Sequence, residues 1–301
     1  MTRLFALSDL HVSHAANRAL LEGITPHQND WLILGGDLGE TPDHLRWVLD
    51  LMGPKFARLL WVPGNHELWS MGEGAPRGQA KYEQMLHICQ ERRVLTPEDP
   101  YEPFPQPQTQ TPTQTQTQTP PPTQPSPATF IAPLFLLYDY SFRPADIPRA
   151  RAIAWATENG PMCADETYLF STPHASRDTW CAARCDDAEA RLSALPSNAR
   201  TVLVNHFPLR AEHAYLPLLP RFSIWCGTSR TEDWHLRFRA NAVVFGHCHM
   251  RSTRWRDGIP FEEVSLGYPK QWTATRTADS FLREIRTESG PSEPEGTIIR
   301  R

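Results

Sequence analysis

Five apolar runs in this chain each stop at residues able to ligate a metal, and that pattern restricts the possible folds more than any other feature. Leu4-Phe-Ala-Leu-Ser8 stops at Asp9-Leu10-His11, Trp31-Leu-Ile-Leu34 at Gly35-Gly36-Asp37, and Leu59-Leu-Trp-Val-Pro63 at Gly64-Asn65-His66-Glu67. Thr201-Val-Leu-Val204 stops at Asn205-His206, and Ala242-Val-Val-Phe245 at Gly246-His247-Cys248-His249. Short aliphatic and β-branched runs bounded by Gly, Asn and Asp read as buried strands. Ligands of open α/β sheets bind just beyond the carboxyl ends of the strands. Five strands that deliver Asp, His and Asn there describe one shared polar site.

The intervening segments fit that frame. Helical patterns cover Asn17–Gly23, Asp43–Met52, Gln79–Arg92 and Asp186–Leu195, and they alternate with strands at Leu4–Leu7, Trp31–Leu34, Arg58–Val62, Thr201–Val204 and Ala242–Phe245. Such alternation predicts an α/β protein with largely parallel pairing in its first half. A short strand at Arg92–Thr96 and a strand or strand pair at Ala128–Tyr138 come next, and apolar pieces at Glu262–Leu266 and near Phe281 add antiparallel strands. Between Pro97 and Pro127 the chain turns into Pro, Gln and Thr, which cannot bury enough apolar area to offset the entropy of ordering. Because the polar site needs residues from both sides of it, this stretch (about 100–127) reads as a loop inserted in one domain spanning 1–287. Residues 288–301, rich in Pro, Gly and Glu, read as a flexible tail.

Several function classes are excluded. No apolar run approaches the roughly 20 residues a bilayer span needs, so a membrane partner is not expected. The N-terminus lacks a secretory h-region, which places the protein in the cytoplasm. The formal net charge of −4 argues against a dedicated nucleic-acid binder, which shows as a basic stripe. Six cysteines at irregular spacing read as free thiols, not as a disulfide framework or zinc knuckles. The oligomeric state has no sequence signal.

Asp9 and His11, like His247 and His249, are two positions apart, and on an extended segment such side chains project to one side. Each pair can grip a common cation or two neighbouring ones. The glycines at 35, 36, 64 and 246 allow positive-φ turns and close backbone approach. Carboxylate and carboxamide oxygens mixed with imidazole nitrogens suit manganese, iron, zinc, cobalt or nickel.

In this order, D-x-H, G-D, G-N-H-[DE], H and G-H-x-H, the residues from Asp9 to His249 resemble the calcineurin-like metallophosphoesterases. The resemblance implies a four-layer αββα sandwich with two mixed β-sheets and a site for two divalent metal ions at the carboxyl ends of the strands. Carried over residue by residue, Asp9, His11 and His249 hold the first ion, Asp37 bridges, and Asn65, His206 and His247 complete the second. The implied chemistry is hydrolysis of a phosphate ester: two cations neutralise the phosphate charge and acidify a bridging water. His66, one position beyond Asn65, is read as the general acid or as a donor to the phosphoryl group, with Asp37 beside it in the catalytic centre. Related protein phosphatases carry an Arg soon after Gly-Asp, whereas here none occurs before Arg46. A phosphatase acting on a small phosphorylated metabolite or nucleotide is therefore the expectation. A phosphodiesterase or nuclease of the same fold is the alternative, and a non-catalytic metal-binding scaffold the reading from another class. Arg210, Arg230 and Lys270 are candidate substrate contacts, and Trp69 and Trp225 could stack on a flat group.

Overall fold

The computed structural model describes residues 1–105, 127–273, 275–288, 290 and 294–300. Its strands are β1 (Leu4–Leu7), β2 (His27–Leu34), β3 (Phe56–Trp61), β4 (Glu102–Pro103), β5 (Thr129–Pro133), β6 (Arg200–Val204), β7 (Ala240–Phe245), β8 (Ser252–Arg256), β9 (Ile259–Glu263), β10 (Arg283–Glu284) and β11 (Gly296–Ile299). Its helices are α1 (Ala15–Glu22), α2 (Pro42–Met52), α3 (Asn65–Leu68), α4 (Gln79–Glu91), α5 (Ala152–Thr157), α6 (Asp165–Tyr168), α7 (Arg177–Ser193) and α8 (Trp234–Arg237). No helix among the described residues is long and apolar enough to cross a membrane.

Two mixed sheets form. The first runs β10-β1-β2-β3, with β1, β2 and β3 parallel and β10 antiparallel at the edge. The second runs β11-β8-β9-β7-β6-β5-β4, parallel through β5, β6, β7 and β9 and antiparallel at both ends. Period-2 alternation decides the layering. Leu4, Ala6, Ile33 and Leu60 of the first sheet share a dry cluster with Val202, Val204, Ala242 and Val244 of the second. The residues between them point the other way: Leu7, Leu32 and Leu34 join Val48, Leu49 and Met52 of α2, while Leu203, Val243 and Phe245 belong with Trp180, Cys185 and Leu192 of α7. The result is the four-layer αββα sandwich that the resemblance implies.

The helices begin where their caps dictate. Thr41 accepts from His44 N at 3.2 Å and Pro42 opens α2, whose buried stripe is Leu45, Val48, Leu49 and Met52. Ser176 likewise accepts from Thr179 N and starts α7 nine residues before the predicted Asp186, because its first turns are polar on the outside. Other elements differ from expectation for identifiable reasons. Arg92–Thr96 forms only a bridge from Leu95 to Leu60, since Arg93 turns left-handed at φ 55. The run Ala128–Tyr138 is a strand only to Pro133; beyond it Leu136 N bonds the Asn205 side chain at 3.0 Å.

Part of the segment read as a flexible tail over 288–301 lies among the described residues. Gly296–Ile299 pair antiparallel with β8, and Arg300 donates to the buried Glu262 carboxylate at 2.9 Å. The outer edge of β8 leaves a row of backbone groups open to pairing, and Arg300 joins Arg283 on the buried Glu262 carboxylate. Residues 106–126, the greater part of the expected insertion, lie outside the described residues. The flanks of that segment do meet, for β4 pairs β5 and Phe104 N donates to Thr129 O at 2.7 Å.

Candidate metal centre

All seven predicted ligands converge at the carboxyl end of both sheets. Cross-loop backbone bonds draw the strand ends together: Asp9 N donates to Gly36 O at 2.8 Å, His11 N to Asp37 O at 3.1 Å, Gly246 N to His206 O at 2.9 Å and Gly267 N to Asp9 O at 3.0 Å. A bridge between Ser8 and Ser265 ties the two sheets at the same level. Three overlapping triplets could each hold an ion: Asp9, His11 and His249; His11, Asp37 and His66; Asp37, His206 and His247.

The backbone that achieves this is not extended, as the i, i+2 argument assumed. Asp9, His11, Asp37, His247 and His249 all lie in the left-handed region, at φ between 42 and 66. Such a residue costs on the order of 1–3 kcal/mol, and clusters of them mark functional sites. Of the four glycines expected to turn positive only Gly36 does so, at φ 89. The others serve close approach: a Cβ on Gly64 would sit 2.1 Å from Asp37 Oδ1, and one on Gly246 would sit 2.2 Å from Asp9 Oδ2.

The donor set fits a cation. His206 Nδ1 lies 2.9 Å from Gly35 O and therefore carries the proton there, which turns the Nε2 lone pair inward. That Nε2 faces Asn65 Oδ1 at 3.2 Å and Asp37 Oδ2 at 3.5 Å. His249 repeats the arrangement: Nδ1 bonds Gln271 Oε1 at 2.8 Å, and Nε2 faces Asp9 Oδ1 at 3.1 Å and His11 Nε2 at 3.2 Å. His247 Nε2 and His11 Nδ1 are buried without a hydrogen-bond partner. Acceptor atoms turned toward one another out of water need either protons or a metal between them.

The electrostatics say the same. Burial opposes charge on Asp37, yet the His206 and His66 imidazoles hold it well below the usual carboxylate range. Burial likewise opposes protonation of His206, but Asp37 outweighs it and lifts that imidazole to about 10. Where no carboxylate dominates, burial prevails: His11 falls to about 4 and His247 to about 3.

His66 lies beside His11 and Asp37, on the first turn of α3 and not on the extended turn expected. Its Nδ1 is 3.4 Å from Glu40 Oε1, its Nε2 is 3.8 Å from Asp37 Oδ2, and its ring stacks on Trp69 at 3.8 Å. Burial disfavours its charge, but Asp37 and Glu40 raise it to about 9. Of the other candidates, Trp225 is core, donating to Glu166. Arg210 and Arg230 are engaged with Glu212 and Asp186, and Cys248 turns away from the ligands toward His213 O. His213 and His235 pack on Phe261, away from the ligands, whereas His14 lies edge-on to Tyr268 beside His11.

Several supporting residues escaped sequence reading. Ser8 and Ser265 both donate to Asp9 Oδ2, at 2.6 and 2.8 Å. Buried Glu67 accepts from Asp37 N, Leu38 N and Gly64 N at 2.7–2.9 Å. It could have been found, as the last letter of Gly-Asn-His-Glu. Gln271 and Asp165 have no such signal, because only folding brings them to the site.

The model of calcineurin-like phosphoesterases matches residues 2–106. The chain is 42% identical over 286 residues to the [acyl-carrier-protein] phosphodiesterase PptH of Mycobacterium tuberculosis (strain ATCC 25618 / H37Rv), covering 94% of this chain and 82% of that protein. The crystal structure of phosphopantetheinyl hydrolase (PptH) from Mycobacterium tuberculosis is similar with a TM-score of 0.83 and 39% identity, covering 98% of this chain and 99% of that one.

Proposed function

The chain belongs to the calcineurin-like phosphoesterase family, and from that premise we propose that it is a metal-dependent phosphodiesterase cleaving a phosphopantetheinyl arm from a carrier protein. The observation that carries this reading is the 42% identity, over nearly the whole chain, to an acyl-carrier-protein phosphodiesterase. It revises the expectation of a monoester phosphatase in favour of the diester alternative. The site is compatible with that revision. Among the described residues no Arg or Lys side chain hydrogen-bonds the seven candidate ligands, and a diester, with one negative charge, asks for less cationic help than a monoester dianion.

In this reading Asp9, His11 and His249 hold one ion, His206, His247 and Asn65 the other, and Asp37 lies between them, all within one catalytic domain over 1–287. Divalent ions bound there supply positive charge to the phosphate oxygens and lower the pKa of water toward roughly 7. The protein's own groups do the rest. Gln271 and the Gly35 carbonyl fix the tautomers of His249 and His206, so that Nε2 of each is free to ligate. Ser8, Ser265 and the His247 amide hold the Asp9 carboxylate in place. Glu40 orients His66, whose ring is the partly open imidazole beside Asp37, so that it can hand a proton to the departing oxygen.

The direct test incubates manganese-loaded protein with a phosphopantetheinylated acyl carrier protein and follows the carrier's mass. Loss of the phosphopantetheinyl mass, abolished by chelator, is expected. Hydrolysis of a chromogenic monoester with the carrier and a chromogenic diester both untouched would restore the phosphatase reading. Full metal occupancy without any hydrolysis would favour the scaffold.

A further inference from the structure

We infer that Asp165 is the positioning residue of this centre: it turns the Asn65 amide so that oxygen faces the ions, and it fixes the Trp69 indole on which His66 stacks. The inference rests on the reading of Asn65 as a ligand given above.

A carboxamide has two ends of nearly the same shape, and only the oxygen can bind a cation. Something outside α3 must choose between them. Asp165 Oδ1 accepts from Asn65 Nδ2 at 2.9 Å and from Trp69 Nε1 at 2.6 Å. A carboxylate without a proton only accepts, so it selects the amide end that donates. Asn65 Oδ1 is then left facing His206 Nε2 at 3.2 Å. No solvent competes, since Asp165 is 0% and Asn65 3% exposed. The same oxygen holds the indole whose ring lies 3.8 Å from that of His66, centroid to centroid, so ligand and proton donor share one anchor.

The anchor is itself held from several directions. Arg177 donates to the Asp165 carbonyl at 2.7 Å and pairs with Glu166, which also accepts from Trp225 Nε1 at 2.7 Å and Tyr140 OH at 2.9 Å. Stability alone does not account for a carboxylate here. Among the described residues no cationic side chain meets its oxygens, Oδ2 has no hydrogen-bond partner, and burial of such a group is costly. Outer partners that orient metal ligands typically govern metal affinity or activity by about 10–100-fold, and that is the effect assigned to Asp165.

The experiment titrates Mn²⁺ into chelator-stripped full-length protein, reads stoichiometry and affinity by calorimetry, and records the spin-coupled signal of a manganese pair by electron paramagnetic resonance. Wild type, Asp165→Leu and Asp165→Asn are compared, each checked for cooperative thermal unfolding. Asp165→Leu is expected to bind one ion as wild type does and the other about 10–100-fold more weakly, with the coupled signal lost at limiting metal. Asp165→Asn still offers one acceptor oxygen to both N–H groups and restores the second ion to within about tenfold of wild type. Should Asp165→Leu not fold, Asp165→Ser, whose hydroxyl does not choose between amide ends, takes its place with the same expectation. Two ions bound at wild-type affinity by the Leu or Ser variant, or an Asn variant as impaired as either, would overturn the inference alone. Wild-type protein that takes up no Mn²⁺ would overturn the reading of the centre and this inference with it.

Discussion

At the scale of single residues, the centre sets bare acceptor atoms against one another. Asp37 lies between the two groups of imidazoles, close to His206 on one side and His66 on the other. Its replacement by Ala should therefore empty the site, read as metal content after gel filtration. His66 belongs to a different class. It lies beside His11 and Asp37, but its Nδ1 is turned to Glu40 and its ring is stacked on Trp69. For His66→Ala, turnover should drop by about 10²–10⁴-fold while metal content stays near wild type, the range usual for a lost proton donor. A variant that loses metal in proportion to activity would make His66 a ligand instead. Gly64 is constrained just as tightly, since any side chain there would enter the space of Asp37.

At the scale of elements, the loops after β2 and β3 are joined by one buried carboxylate. Glu67, on α3, takes the amide protons of Asp37 and Leu38 from one loop and Gly64 from the other. An orphaned buried donor costs about 1–3 kcal/mol, so Glu67→Ala, which orphans three, should destabilise the fold by at least about 3 kcal/mol. Denaturant unfolding measures this directly. A loss below about 1 kcal/mol would mean that water or a neighbouring group takes over the three donors. The sequence placed β1, α2 and α4 to within about a residue, whereas β2 begins at His27, four residues before the expected Trp31, because its start His27-Gln-Asn-Asp30 is polar, and β3 begins at Phe56, two before Arg58. It placed the start of α7 late and the β8–β11 pairing not at all, since the first turn of α7 is Arg177-Asp-Thr179, without an apolar period, and the second depends on contact between distant segments.

For the whole molecule, the centre lies where the two sheets meet, held by the Ser8–Ser265 bridge and by residues from Asp9 to Gln271. Ions bound to that seam stabilise only the folded chain. At 100 times the dissociation constant one ion adds about 2.7 kcal/mol, so chelation should lower Tm by several degrees and Mn²⁺ should restore it. Differential scanning calorimetry with and without chelator makes the comparison, and an unchanged Tm would count against ions being held at the seam.

What the linear chain determined by itself was the chemistry of the site and the alternation of helices and strands, the four-layer order being what the resemblance of its motifs implied. Alternating apolar residues fix which face of each strand is dry, and the residue types that end the strands fix what the site can bind, because both follow from local periodicity and from the donor inventory of each side chain. What only the tertiary structure decided was orientation. The left-handed turns at Asp9, His11, Asp37, His247 and His249 belong to the folded backbone, and the tautomers of His206 and His249, the amide end that Asn65 presents and the seating of the Asp9 carboxylate depend on Gly35, Gln271, Asp165 and Ser265. Those partners lie up to 256 positions from the residues they orient, beyond the reach of any local pattern.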